Sequence, residues 1–173
     1  TFSSPITIYD SLGASHVLTI QYTNTAANTW GYKVTIPSAD ISGGTGTTTT
    51  VASGTMTFDS SGNLTSPTSP ITRINVNNLA DGAANLGMTW NLTGPGGALI
   101  TQQDASSATT APSQNGYGVG TLTGYSVLSD GTVQGQFSND QTIALGRVAV
   151  ASFANVQGLM QTGNGDYQPT FAS

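Results

Sequence analysis

The chain has no cysteine, no glutamate, one histidine, and only three basic residues, Lys33, Arg73 and Arg147. Without cysteine there is no disulfide, no thiol catalysis and no cysteine metal site. That absence also suits a protein exported without an oxidative folding step. Three scattered cations cannot neutralise a run of phosphates, so nucleic-acid binding is excluded, and a basic membrane-surface helix with it. No uninterrupted apolar run approaches the ~18 residues that suggest a membrane span. Eight Asp supply all the acidity and leave a net charge of −5. Charged residues make up 6% of the chain, against roughly 25% in a typical soluble domain.

What is present is small, polar and neutral. Among 173 residues there are 28 Thr, 19 Ser, 12 Asn and 22 Gly, with 36% apolar residues to form a thin core. Thr is β-branched and favours strands. Gly, Asn, Asp and Ser favour turns. The residues that usually cover helix surfaces are scarce. Composition therefore predicts an all-β chain. The sequence opens at Thr1 without an initiator Met or a signal-like segment, and reads as a mature or trimmed piece of something larger.

Periodicity supports the same class. Ile6 to Tyr9 reads as a strand, and Asp10-Ser11-Leu12-Gly13 as a type I turn. His16, Leu18, Ile20 and Tyr22 then alternate with Val17, Thr19, Gln21 and Thr23. Trp30, Tyr32, Val34 and Ile36 give the clearest period of two in the chain. Three strands joined by short turns predict an antiparallel meander. Pro37 to Thr50 reads as a long exposed loop. Thr55 to Phe58, Ile74 with Val76, and Leu86 to Leu92 read as further strands, with Met56 and Phe58 inward. Gly94 to Gly97 reads as a break and Ala98 to Thr101 as a short strand. Gln102 to Asn115 has almost nothing to bury and reads as a connector, with a second unit starting near Gly116. There, Asp130-Gly131 between alternating runs predicts a hairpin of Leu122–Leu128 with Val133–Phe137. Ile143 to Phe153 reads as a long strand and Ala154 to Ser173 as irregular. No helix longer than a turn or two is expected.

Few residues offer chemistry. His16 is the only imidazole, and a Ser-His-Asp relay needs it between an acid and a nucleophile. Its place in an alternating strand predicts a packed or hydrogen-bonded residue instead. Asp10, Asp59, Asp130 and Asp140 could be imagined as a glycosidase pair, which needs two carboxylates roughly 5 to 9 Å apart, or as calcium ligands. Each sits beside Gly, Ser or Asn, where a short acceptor bonds the local backbone. Asp59 to Asn63 echoes a calcium loop but lacks its alternating acids and closing Glu. Gly43 to Gly46 and Gly94 to Gly97 lack the residues and the following helix of a phosphate cradle. Trp30 and Trp90 could stack on a sugar, but their alternating apolar neighbours predict core packing. No catalytic, cofactor-binding or metal-ligating residue is assigned, and no cofactor.

The stretch Ile8-Tyr9-Asp10-Ser11-Leu12-Gly13-Ala14-Ser15-His16, with Thr29-Trp30 and Gly54 to Leu64, resembles the outer domain of bacterial flagellar hook proteins. Gly116-Tyr117, Gly120, Leu122, Ser129 to Val133, Gly135, Phe137-Ser138-Asn139, Leu145-Gly146, Phe153-Ala154-Asn155, Gly158-Leu159 and Gly163 continue the likeness in the family's order. The later segment is shared in pattern with rod proteins of the same axial structure. Asp10 and Gly54 to Leu64 point to the hook. The resemblance implies an antiparallel β-barrel or sandwich-like outer domain, residues 1–112, inserted into a smaller β-rich inner domain whose returning half is residues 113–173. It implies a non-enzymatic structural subunit of the hook, the flexible tube that passes torque from motor to filament, outside the cell. Its partners would be other copies of the subunit, with rod and hook–filament junction proteins at the ends. Without the family's terminal helical segments, the piece is expected to be monomeric in dilute solution. Rival readings are a distal-rod-type axial protein and a secreted or phage-tail carbohydrate-binding β-domain.

Overall fold

The structure is a computed structural model that describes residues 1–173. The chain is all-β and antiparallel, and forms two compact units, residues 1–119 and 120–173.

The first unit begins with five strands paired in chain order: β1 (Phe2–Tyr9), β2 (Ser15–Ala26), β3 (Thr29–Pro37), β4 (Thr48–Phe58) and β5 (Leu64–Ser66). Short polar turns join most of them, so each strand folds back on its predecessor as the period-two pattern predicts. Alternation sends Ile8, Leu18, Tyr32, Val34, Ile36, Met56 and Phe58 to one face, where all are buried. β3 is paired on both sides, and its Val34 and Ile36 are only 1% and 0% exposed.

A second hairpin packs on that face. β6 (Ile71–Val76) and β7 (Leu86–Trp90) pair with Ile74 opposite Met88 and Val76 opposite Leu86. Ile74, Val76, Leu79 and Leu92 complete the buried cluster. Trp90 meets Tyr22 and Tyr32 edge-on, at centroid distances of 6.2 and 5.6 Å. Both are within the range of favourable aromatic pairs.

Two segments differ from the sequence expectation. Pro37 to Thr50 is not one long exposed loop. Pro37 ends β3, Ser38–Asp40 form a 3-10 turn, and β4 begins at Thr48. Ser38 is buried because its hydroxyl bonds the Thr45 carbonyl and the Thr49 hydroxyl, and its amide bonds the Thr47 carbonyl. Composition cannot reveal such a hydroxyl-knit loop. Gly94 to Gly97 is likewise a tight turn between two minimal strands, β8 (Thr93–Gly94) and β9 (Gly97–Ala98).

Residues 102–121 form no strand or helix. Part of this stretch lies along β1. Thr109 donates its hydroxyl to that of Ser4 at 2.8 Å, and Gly116 and Gly118 sit against the Tyr9 ring. Gly13 closes the β1–β2 turn at φ +80°, and a Cβ there would stand 2.6 Å from a Val119 methyl. It must be glycine both for its backbone conformation and for this approach.

In the second unit, β10 (Leu122–Val127), β11 (Thr132–Phe137) and β12 (Thr142–Arg147) form a three-stranded sheet in chain order. The Asp130-Gly131 turn lies where the sequence predicts it. β12 is shorter than the Ile143–Phe153 strand expected, because residues 148–153 have no ladder partner. The C-terminal stretch is not wholly irregular. A 3-10 turn spans Val156–Gly158, and β13 (Met160–Gly163) pairs with β14 (Asp166–Gln168) across Asn164-Gly165. That Asn-Gly pair, with both residues at positive φ, is a strong hairpin signal that the neighbouring glycines obscured. Leu122 and Leu145 close over Gly135. Yet Leu122, Tyr125, Val127, Ile143, Leu145 and Val148 are each more than two-fifths exposed.

Gly54 pairs with Tyr32 across β3 and β4, and a Cβ on it would lie 2.6 to 2.7 Å from that ring. The ring is held by Trp90 and cannot swing aside freely. Gly54→Val is expected to destabilise the first unit by about 1–3 kcal/mol, the usual cost of overpacking, read as a lower urea midpoint. An unchanged midpoint would contradict the packing described.

Candidate functional site

The most concentrated polar chemistry lies at one end of the first unit. The β1–β2 turn works through Asp10, whose Oδ1 accepts the amides of Leu12 and Ala14 at 2.8 and 2.9 Å. This is the local turn role expected for an Asp there. Its other oxygen, Oδ2, lies 3.1 Å from Nε2 of His16, the second residue of β2. His16 Nδ1 lies 3.0 Å from Oδ2 of Asp40, in the 3-10 turn after β3. Asp81, in the loop between β6 and β7, places Oδ2 3.7 Å from Nε2. One histidine thus meets three carboxylates from three segments.

Burial differs across this cluster. The side chains of His16 and Asp10 are 8% and 0% exposed, those of Asp40 and Asp81 28% and 32%. Burial alone would raise the Asp10 carboxyl. The contacts with Asp81 and His16 and the amides of Ala14 and Leu12 outweigh it and lower the group to about 2. Burial lowers His16, but the bonds to Asp40 and Asp10 and their charges prevail and raise it. Nucleophilic catalysis needs a hydroxyl or thiol on the imidazole. Here both ring nitrogens face carboxylates instead. One carboxylate oxygen each of Asp10 and Asp81 and a ring nitrogen of His16 lie within 4.8 Å of one another. They are turned on each other as hydrogen-bonding and ion-pairing groups, and we assign them that role.

The other Asp residues singled out by the sequence do not converge. Asp59 Oδ1 accepts the amides of Ser61 and Asn63, and the Asn63 amide foremost holds its carboxyl below the ordinary range. Asp130 accepts the amide and hydroxyl of Thr132, which lower it likewise. Asp140 sits in a turn at φ +60°, and the turn's side-chain acceptor is Asn139, which takes the Gln141 amide. Asp40 and Asp81 escaped sequence reasoning. Asp40 lies in the stretch read as loop, and nothing in local sequence joins either residue to His16.

Trp30 and Trp90 are both half-buried against the core. Beside Trp30 is an open cleft of about 540 Å³ lined by Asp59 to Gly62 and Gln102 to Asp104. Its polar groups serve the fold: Trp30 Nε1 donates to Gln102 Oε1 at 3.0 Å, and Gln102 Nε2 donates to Asn28 Oδ1 at 2.9 Å. The two glycine stretches precede no helix.

Comparison with known proteins adds what geometry alone does not. The family model described as the flagellar basal body protein FlaE D2 domain matches residues 1–117. The flagellar hook protein FlgE of Helicobacter pylori strain 26695 is 32% identical over 172 residues, 98% of this chain and 24% of that protein. FlgE of Salmonella typhimurium is 32% identical over 169 residues, 97% of this chain and 39% of its own length. FlgE of Escherichia coli is 32% identical over 168 residues, with the same coverage. The chain thus spans between about a quarter and two-fifths of the length of these relatives. Among solved structures, the crystal structure of Helicobacter pylori flagellar hook protein FlgE2 superposes with a TM-score of 0.58 at 20% identity. The match covers 96% of this chain and 36% of that one, and bears on the fold alone.

Replacing Asp10 by Asn keeps an acceptor for the turn amides but removes the charge facing His16. Asp10→Asn is expected to cost about 2 kcal/mol at neutral pH, the scale of a buried hydrogen bond to a charged group. The folded value of Asp10 lies below its unfolded 3.8. Its contribution is therefore present above that pH and lost as pH falls towards about 2. Urea unfolding from pH 5 to pH 2 should show a flatter acid limb for the variant. Identical limbs would refute the assignment.

Proposed function

As the chain belongs to the flagellar hook protein family, with the D2 domain at residues 1–117, we propose that it forms part of the wall of the hook, the curved tube between motor and filament. The single observation behind this reading is the family match over most of the first unit, joined by relatives that align along nearly the whole chain. In this reading residues 1–112 are the outer domain and residues 113–173 the returning half of the inner domain. The role is structural, with no catalysis, no cofactor and no metal. Its place is outside the cell, and its partners are further copies of the subunit, with rod and junction proteins at the ends of the tube.

The surface chemistry suits sliding contacts. The outward positions of the five-stranded sheet are largely Ser, Thr and Gln, with Lys33 the single charge on β3. Hydroxyl and amide groups form weak, interchangeable hydrogen bonds, whereas ion pairs, especially bidentate ones, hold one register. Neighbouring outer domains can then shift past one another as the tube bends. The exposed Leu122, Tyr125, Val127 and Ile143 of the second unit are, in this reading, the contact face for the rest of a longer subunit. The greater length of the curated relatives supports that assignment.

The direct experiment exchanges the matching segment of a hook protein for this chain in a motile bacterium. Electron microscopy should show hooks of normal calibre and swimming should persist. Loss of hooks from a stably produced hybrid would overturn the reading. Alone at micromolar concentration the chain is expected to be monomeric by light scattering. A stable defined oligomer would count against assembly that needs the remainder of the subunit.

A further inference from the structure

The hydrogen-bond arithmetic around His16 does not close for a neutral ring. A neutral imidazole has one N–H and one lone pair, whereas the imidazolium has two N–H groups. Nδ1 lies 3.0 Å from Asp40 Oδ2 and Nε2 3.1 Å from Asp10 Oδ2. An ionised carboxylate only accepts, so whichever nitrogen lacks a proton would aim a lone pair at negative oxygen. Only the protonated ring satisfies both contacts. It is also the one cation among three acids, with Asp81 at 3.7 Å.

The groups facing the ring come from three segments: Asp10 from the β1–β2 turn, Asp40 from the 3-10 turn, and Asp81 from the β6–β7 loop. Its own strand, Ser15–Ala26, carries no other acid or base apart from the outlying Tyr22 phenol. Tyr9, on β1, turns instead to Gly116 and Gly118.

The three segments are not equally bound to each other. Asp10 is fixed by the amides of its own turn. The 3-10 turn and the β6–β7 loop are tied together, with the Ala80 amide on the Asp40 carbonyl at 2.9 Å and the Ser42 amide on the Asn78 carbonyl at 2.7 Å. Ile41 and Leu79 form a bridge between them, and Leu79 is buried. Between this pair and the β1–β2 turn stand the His16 contacts, the side-chain contact of Asp81 with Asp10, and a bond from the Ala84 amide to Ser11 Oγ at 2.9 Å.

We propose that His16 is a proton-operated clasp, which when charged draws the Asp40 and Asp81 segments onto the β1–β2 turn and when neutral lets that pair part from it. Asp40 and Asp81 are the half-exposed members, so water takes over their solvation on release. The buried Leu79 keeps the pair anchored below, and the result is a loosened end of the unit with its core intact. The ring's folded value is raised above the free 6.5. Its contribution is thus full below that pH and lost as pH rises through the folded value. The clasp rests on this cluster alone, so its failure would leave the hook reading untouched.

The test uses the full chain and NMR of the imidazole nitrogens. Both nitrogens should carry protons in most molecules at pH 6.5, with a midpoint above that pH. Asp40→Asn and Asp81→Asn, at half-exposed positions, should each lower that midpoint. Hydrogen exchange, corrected for the intrinsic pH effect, should show protection at Ala84 falling by up to about tenfold per pH unit between 6.5 and the midpoint and levelling off above it. Protection at Ala80 and Val34 should hold. A midpoint at or below 6.5, a midpoint unmoved by both variants, or Ala84 protection that stays level with Val34 would each overturn the proposal.

Discussion

β3 is the strand on which residues 1–119 depend. It is hydrogen-bonded along both edges, and its inward row of Tyr32, Val34 and Ile36 touches both layers of the core. In a chain with 36% apolar residues there is little to spare. The second hairpin finds its place because Trp90 has two tyrosine rings to lean on, and Gly54 leaves the floor under one of them open. A one-residue slip of β3 would send Lys33 and Thr35 inward and expose the row. The register is therefore specified by few side chains, each of which matters.

The parts legible in the sequence are those where period and turn chemistry agree. The meander from Ile6 to Ile36, the inward Met56 and Phe58, and the Asp130-Gly131 hairpin were readable because alternation runs unbroken between short turns. The parts that were not legible depend on contacts without local pattern. Ser38 is buried through hydroxyl bonds to residues seven and eleven positions on, which a count of Ser and Thr reads as loop. The site divided in the same way. Asp10 and His16 could be placed in a turn and a strand from their neighbours. Asp40 and Asp81 could not be joined to them, since only the packing of the β6–β7 hairpin on the sheet brings those loops together. The Asn164-Gly165 hairpin was missed for a different reason, since flanking glycines hid a signal that was there.

Charge is used sparingly and is densest in one place. Of the eight acids, three surround the single histidine, and two others, Asp59 and Asp130, accept the amides of their own turns. The outward positions of the five-stranded sheet are largely neutral. Specific, directional electrostatics thus serve to close one end of the unit. The unit combines firm internal fastening at one end with few charges elsewhere.

The segment that runs along β1 has a mechanical consequence. Residues 1–119 start on β1, and the stretch from Thr109 to Val119 comes back to Ser4, Tyr9 and Gly13 on the same edge. Both ends of the folded unit therefore lie on a single border strand. Tension along the main chain would fall first on that border and its strap. The bulk of the unit hangs from that border like a passenger on the chain.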